Sequence, residues 1–166
     1  TAGDRPGGAR GAAAEGADII DIGGESTRPG AEPIGTEEEL RRVLPTLQAI
    51  ASEITLPISI DTYHAEVAAA TLATGAHLIN DIWGLRTPDG SWNTPLARLV
   101  AAQSVPIVLM HNRRAHATVS ALGGHYRDVV YTDLLGDIIA ELRESVAYAE
   151  AQGIARASIL VDPGIG

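Results

Sequence analysis

Short apolar runs alternate with helical patterns along the chain from residue 16 onward. Each gap between the runs carries apolar residues at helical spacing. The resulting order β-α-β-α-β-α-β-α-β predicts a parallel sheet covered by helices. The runs themselves are rich in Ile, Val and Leu and are bounded by Gly or Pro, as buried strands are: Ala17–Gly23, Pro57–Thr62, His77–Ile82, Pro106–His111 and Ala157–Gly164.

The helices have boundary signals of their own. Thr36-Glu37-Glu38-Glu39 has the form of a capping box, in which Thr36 would cap the helix and the acidic turn would be exposed. Apolar residues at steps of three and four then predict a helix that continues to Ile54 and is kinked at Pro45. Further helices are predicted at Ala9–Glu15, at His64–Thr74 with Gly75 as its C-cap, at Pro95–Gln103, and within about Tyr126–Gln152.

Polar residues stand where the predicted strands end. The first strand runs into the loop Gly24-Glu25-Ser26-Thr27-Arg28-Pro29-Gly30, and the others end in Asp61, Asn80, His111 and Asp162. Ligands of parallel α/β folds bind at the carboxyl ends of the strands, so we expect these side chains to line one pocket. Acceptor oxygens and an amide suit a planar heterocycle with several N–H donors, and an arginine suits a phosphate or carboxylate.

Several of these residues also have a simpler interpretation. Asp61 stands directly before a helix, where it could serve only as the N-cap. One of the neighbours Asn80 and Asp81 is expected to be structural. His111 is as well explained as a core histidine with satisfied hydrogen bonds, and Met110 as barrel packing.

Composition narrows the possible functions. The 166 residues carry 21 acidic and 12 basic side chains, giving a net charge of −9, and every basic residue is Arg. This charge, without an Arg-rich stripe, argues against nucleic acid as a partner. The chain has no Cys for a disulfide or a thiolate metal site, and no apolar run long enough to span a membrane. A complete (β/α)8 barrel usually needs about 250 residues, so the length alone argues against one.

Five motifs resemble the dihydropteroate synthase family of pterin-binding barrels. The most specific lies within residues 16–31 and includes GGESTRPGA at 23–31. Related folate-dependent methyltransferases share the fold but not that loop. The others follow in the family's order: PISIDT at 57–62, INDI at 79–82, LMH at 109–111 and LVDPGIG at 160–166.

The resemblance implies a fold and a reaction. The fold is a (β/α)8 barrel, of which residues 1–166 would form a single pterin-binding domain with about strands 2–6; residues 1–15 match the family poorly. Because five strands are predicted at barrel-like spacing, the length is that expected of a partial barrel. Its open edges would lie at Ala17–Gly23 and Ala157–Gly164. The family is a cytoplasmic transferase of folate biosynthesis and the target of sulfonamides. It joins p-aminobenzoate to 6-hydroxymethyl-7,8-dihydropterin pyrophosphate, giving 7,8-dihydropteroate and pyrophosphate.

The resemblance also implies roles for individual residues. Thr27 and Arg28 would lie near the p-aminobenzoate and the pyrophosphate, and Asp61 and Arg28 would have the catalytic roles. The pterin ring would be held by Asp61, Asn80 and Asp162, with Ile82 and Met110 packed around it.

Several expectations concern groups beyond these residues. Mg²⁺ would enter with the pyrophosphate, because the family's asparagine ligand has no match in this chain. A pterin-binding lysine and an Arg-x-His pair are expected after residue 166. The family forms homodimers and acts on small molecules, with no nucleic acid or membrane partner. Two alternatives stay open: a non-catalytic pterin-binding fragment or homologue, and a flavodoxin-like α/β domain with an unrelated small ligand.

Overall fold

A computed structural model describes residues 6–26, 31–114, 117–119 and 126–165. The helices in these ranges are α1 (Pro6–Ala14), α2 (Thr36–Ala51), α3 (Ala65–Thr74), α4 (Thr94–Gln103) and α5 (Leu134–Ala151). The strands are β1 (Ile20–Gly23), β2 (Ile58–Asp61), β3 (Leu78–Asp81), β4 (Ile107–Met110), β5 (Thr118–Val119), β6 (Tyr126–Arg127) and β7 (Ile159–Asp162). A 3-10 turn at Arg156–Ser158 leads into β7.

Strand order decides between the two fold classes. The main sheet is parallel and runs β1-β2-β3-β4-β7, so each strand lies beside the previous sheet strand in the chain. A doubly wound, flavodoxin-like sheet reverses its direction of growth at a switch point, and this sheet does not. The order is that of a partial (β/α)8 barrel, as predicted. Among the described strands, β1 and β7 form the two edges, which also agrees with the prediction.

The hydrophobic core lies on one face of this sheet. Alternate strand residues point to it, beginning with Ile20 and Ile22 in β1. Helices α2 to α5 each bury residues on the same side, which places all four against one face. The main contributors are Val43, Leu47, Ile50, Ile58, Ile60, Ile79, Leu96, Val100, Ile107 and Leu109. The opposite face is therefore free to carry polar side chains.

The capping-box prediction for α2 is wrong. Gly35 is the N-cap residue, and no side chain caps this helix. Glu39 is not exposed but 1% accessible, because its carboxylate bonds to His64 on the adjacent α3 segment. The helix includes Pro45 and ends at Ala51 rather than Ile54. The local pattern predicted that Glu39 would bond to the start of its own helix. In the structure its carboxylate bonds instead to His64, a residue distant in sequence.

The start of α5 also differs from the prediction. Tyr126–Arg127 pairs antiparallel with Thr118–Val119 as a two-stranded ribbon, so the helix does not extend back to Tyr126. It begins at Leu134, where the Asp133 side chain accepts the N–H of Gly136 at 3.2 Å. This is the side-chain cap that the sequence pattern did not reveal.

Candidate active site

The non-core face of the sheet brings several predicted site residues together. Asp61 pairs in register with Asn80, and Met110 pairs with Asp162. In-register partners in a parallel sheet point to the same side. Asn80 is opposite Val108 in β4, and Met110, two residues further along β4, points to the same side as Val108. Met110 therefore lies on the same face as Asn80. Asp61, Asn80, Met110 and Asp162 therefore share one face at the carboxyl end of the sheet, which we call the polar face.

Asp61 occupies an electrostatically unusual position on the polar face. It ends β2, and the N-cap of α3 is His64, so its interpretation as a helix cap is wrong. Burial raises the pKa of the Asp61 carboxyl to about 7, and the negative charges of Asp21 and Glu39 add to this effect while Arg114 opposes it. A carboxyl group with this pKa exchanges a proton near neutral pH, as functional-site carboxyls often do.

Asn80 and its neighbour Asp81 point in opposite directions. The Asn80 amide nitrogen lies 3.2 Å from Asp21 Oδ2 on the polar face. Asp81 is fully buried on the core side, where it accepts the N–H groups of Trp83 at 2.9 Å and Leu85 at 2.6 Å. Burial raises the pKa of Asp81 to about 7, and these two hydrogen bonds oppose the rise. Asp81 is thus the structural member of the pair.

Asp162 is held by the turn that follows β7. Its Oδ1 accepts the N–H of Gly164 at 2.7 Å. Gly164 has φ of +70°, and a side chain there would overlap the carbonyl oxygen of His111. Ile82 is buried beyond the end of β3, and its carbonyl accepts the side-chain amide of Asn112. The turn after Asp162 is therefore held by the Gly164 N–H bond and by the close approach of Gly164 to the His111 carbonyl.

His111 is a core histidine with a partner inside the protein. It is 6% exposed, and its Nε2 lies 2.9 Å from Glu141 Oε2. Glu141 also bonds to Arg113. Burial raises the pKa of Glu141, but the bonds from Arg113 and His111 outweigh it and lower the pKa overall. Of the two interpretations of His111, the structural one is correct.

Comparison with known proteins agrees with this arrangement. A family model described as "Pterin binding enzyme" matches residues 8–166. The chain belongs to the pterin-binding enzyme family. It is 45% identical to the dihydropteroate synthase of Bacillus subtilis over 152 residues, which are 92% of this chain and 47% of that protein.

Solved structures of family members have the same fold. Dihydropteroate synthase of Xanthomonas albilineans with 4-aminobenzoic acid superimposes with a TM-score of 0.83 at 38% identity, over 97% of this chain and 52% of that one. Its complex with 7,8-dihydropteroate gives a TM-score of 0.75 at 35% identity, over 97% and 51%. The chain spans about half the length of the curated relatives it matches.

Thr27 and Arg28 lie outside the described residues. The base of their loop is described: Glu25 accepts the N–H of Ile34 at 3.1 Å and the hydroxyl of Tyr63 at 3.5 Å. Burial, with the nearby charge of Glu25, raises the pKa of Tyr63 to about 12, so the phenol remains a donor. Glu25 thus joins the two sides of the loop and links it to the segment after β2.

Sequence reasoning missed two features of the site. Asp21 lies on the polar face beside Asn80, and the buried Glu39, whose charge acts on Asp61, bonds to the partly exposed His64. The alternation Ile20-Asp21-Ile22 was a usable signal, because period-two spacing puts Asp21 opposite the apolar face. No local pattern reveals Glu39, whose burial depends on contact between two helices.

A concavity lies among the segments that follow β3 and β4. A cleft of about 570 Å³ is lined by none of the predicted site residues. Two ion pairs border it, Arg86 with Glu144 at 2.9 Å and Arg113 with Glu141. Its lining comes from the loop after β3, the segment after β4 and helix α5. Among the residues described, the cleft shares no lining residue with the predicted site and is therefore a second candidate for ligand binding.

The described part of the chain does not offer a metal site. No three His, Asp or Glu side chains are grouped to hold an ion within these ranges. Mg²⁺ is usually held by one or two carboxylates together with waters and substrate phosphates. The described residues therefore show no grouped set of side chains that would hold a resident magnesium ion without substrate, and we assign no step to one. Among the helices described, none is long and apolar enough to cross a membrane.

Proposed function

We propose that the chain is part of a dihydropteroate synthase, which joins p-aminobenzoate to 6-hydroxymethyl-7,8-dihydropterin pyrophosphate. The observation that carries this proposal is the register that puts Asp61, Asn80 and Asp162 on one face at the carboxyl end of a parallel sheet. The relatives support it, since one is solved with 4-aminobenzoic acid and again with 7,8-dihydropteroate.

The polar face matches the edge of a pterin ring. Carboxylate oxygens of Asp61 and Asp162 accept N–H groups, and the Asn80 amide both accepts and donates. Met110 and Ile82 supply apolar contact to the flat ring. We propose that these five residues bind the pterin, and that Thr27 and Arg28 contact the p-aminobenzoate and the pyrophosphate.

The chemistry needs positioning more than a nucleophilic side chain. The bond between the exocyclic CH2 carbon and the pyrophosphate oxygen breaks, and the bond electrons leave with pyrophosphate. The amine nitrogen of p-aminobenzoate bonds to the CH2 carbon and loses one proton, which the released pyrophosphate accepts. In this proposal the Asp61 carboxylate stabilises positive charge that develops on the ring, and the polar face holds the two reactants close. Arg28 neutralises the departing pyrophosphate, and any Mg²⁺ arrives bound to that group.

Binding and turnover test the proposal separately. The chain is titrated by calorimetry with the pterin pyrophosphate, alongside Asp162→Ala and the control Asp18→Ala, an exposed aspartate that precedes β1. We expect Asp162→Ala to weaken binding at least about tenfold, as loss of a charge-assisted hydrogen bond does. Unchanged binding by Asp162→Ala excludes the site assignment.

Turnover distinguishes the enzyme from the non-catalytic alternative. Pyrophosphate release is measured after p-aminobenzoate is added to the pterin complex. Release that depends on both substrates supports the synthase. Tight pterin binding without release supports a pterin-binding fragment or homologue. The homodimer of the family stays a prediction for this chain, to be tested by sedimentation.

A further inference from the structure

Asp21 lies on the polar face and within the motif at residues 16–31, but it is not among the predicted site residues. We propose that Asp21 is a positioning residue that orients the Asn80 carboxamide, so that the Asn80 oxygen is left to accept an N–H of the bound heterocycle. The inference rests on the proposed pterin site for its ligand, but the orientation itself depends only on the two side chains.

The sheet places these side chains together. In β1 the residues alternate between buried and exposed, and Asp21 is on the exposed side with Gly23. Asp21 is opposite Ser59 in β2, and Asp61, two residues further along β2, is opposite Asn80 in β3. Asp21 therefore reaches Asn80 diagonally across β2. The contact is Asn80 Nδ2 to Asp21 Oδ2 at 3.2 Å.

The chemistry of the two groups fixes the direction of the contact. An ionised carboxylate only accepts hydrogen bonds, so Asp21 binds the NH2 end of the Asn80 amide and not its oxygen. The amide is planar, and its oxygen then lies on the side away from the bond to Asp21. Without Asp21, rotation of the amide by 180° would present the ligand with either a donor or an acceptor. With Asp21 present, Asn80 acts as an acceptor and favours heterocycles that offer an N–H at this position.

Asp21 also acts on the neighbouring carboxyl. Its charge adds to the burial that raises the pKa of Asp61. Asp21 thus affects both the orientation of the Asn80 amide and the protonation of the Asp61 carboxyl. Asp21 itself is exposed on an edge strand, so its replacement is not expected to prevent folding.

Side-chain NMR tests the orientation without any ligand. The two amide protons of Asn80 are observed in ¹⁵N-labelled chain, in Asp21→Ala and in the control Asp18→Ala. We expect the proton bonded to Asp21 to move upfield in Asp21→Ala and to stay in place in Asp18→Ala. An Asn80 amide signal that is the same in all three chains overturns the proposal.

Exchange of the two residues tests the consequence for binding. The probe is 6-hydroxymethyl-7,8-dihydropterin, titrated by calorimetry. Asp21→Ala is expected to bind about tenfold more weakly, which corresponds to one lost net hydrogen bond. Asn80→Asp keeps an acceptor for the ligand but sets two carboxylates against each other, so it too should bind weakly. In the double variant Asp21→Asn with Asn80→Asp, the amide introduced at position 21 donates to the carboxylate introduced at position 80, and most of the affinity should return.

The two proposals fail in different ways. If Asn80→Asp weakens binding equally with and without Asp21→Asn, the two residues are not coupled, and the role of Asp21 is wrong while the pterin site stands. If the parent chain binds no pterin but the Asn80 amide still responds to Asp21→Ala, the proposed function fails and the orientation holds.

Discussion

The buried Glu39 forms a hydrogen bond with the partly exposed His64, with Glu39 Oε2 2.7 Å from His64 Nδ1. Glu39 comes from the first turns of α2, and His64 is the N-cap residue of α3. The pair links the first turn of α2 to the start of α3, which follows the end of β2 at Asp61. The negative charge of Glu39 is also one of the causes that raise the pKa of Asp61.

Replacement of Glu39 by Gln should lower the pKa of Asp61. The amide keeps a hydrogen-bonding group near His64 but removes the charge that disfavours ionisation of Asp61. The pKa is measured from the carboxyl ¹³C shift of Asp61, with Glu37→Gln, an exposed glutamate on the same helical turn, as the control. Glu39→Ala should in addition destabilise the fold by about 1–2 kcal/mol, because it removes the hydrogen bond to the partly exposed His64. An Asp61 pKa that is equal in all variants contradicts the link.

Asp61→Asn should change how stability depends on pH. The folded pKa of about 7 lies above the ordinary 3.8, so between these values the folded chain holds a proton that the unfolded chain has lost. The free energy of unfolding therefore falls as pH rises through this range and levels off above it. In Asp61→Asn the fall from pH 4 to pH 8 should be smaller by roughly 2–4 kcal/mol.

Urea unfolding at several pH values measures this difference. Asp81 has a similarly raised pKa but is present in both chains, so its own titration cancels apart from its repulsion of Asp61. The variant should gain stability at pH 8 and lose pterin affinity, which is typical of a site residue kept at a cost to stability. Parallel stability curves for the two chains would show that Asp61 titrates as an ordinary aspartate.

Gly84→Ala should be much more damaging than Gly90→Ala. Both glycines have positive φ, +61° and +85°, so both substitutions add backbone strain. At Gly84 a Cβ would also lie 2.9 Å from the carbonyl oxygen of Met110, whereas nothing lies within 4 Å at Gly90. We expect losses of about 2–4 kcal/mol for Gly84→Ala against about 1 kcal/mol for Gly90→Ala by thermal unfolding. Equal losses would mean that the loop moves away from β4 without cost.

The exposed edge strand β7 should make the chain self-associate. Val161 and Leu160 are 55% and 45% exposed on this strand, whose outer backbone groups have no sheet partner among the described strands. Such an edge is a template for pairing between chains, and a lysine on it opposes pairing. Val161→Lys should lower the sedimentation coefficient at high concentration, while Val130→Lys, the same change at an exposed residue outside the sheet, should not. The same association by both variants would place the interface elsewhere.

The sequence alone predicts the strands and most of the residues that form the polar face. Apolar runs ending in Asp61, Asn80 and Asp162 are local signals, and parallel pairing brings them together without further information. Strand order needed the structure, since the same alternation of elements suits both a barrel and a doubly wound sheet. The partnership of Glu39 with His64 also needed it, because the two residues are 25 positions apart and meet only when α2 packs on α3.

Chemical-shift mapping of the pterin on the labelled chain tests the location of the site most directly. The backbone amides of ¹⁵N-labelled chain are followed during titration with 6-hydroxymethyl-7,8-dihydropterin pyrophosphate. We expect the largest changes at Asp61, Asn80, Met110 and Asp162. Changes confined to the cleft, at Trp83, Arg86 and Arg113, would contradict the assignment of the polar face as the pterin site.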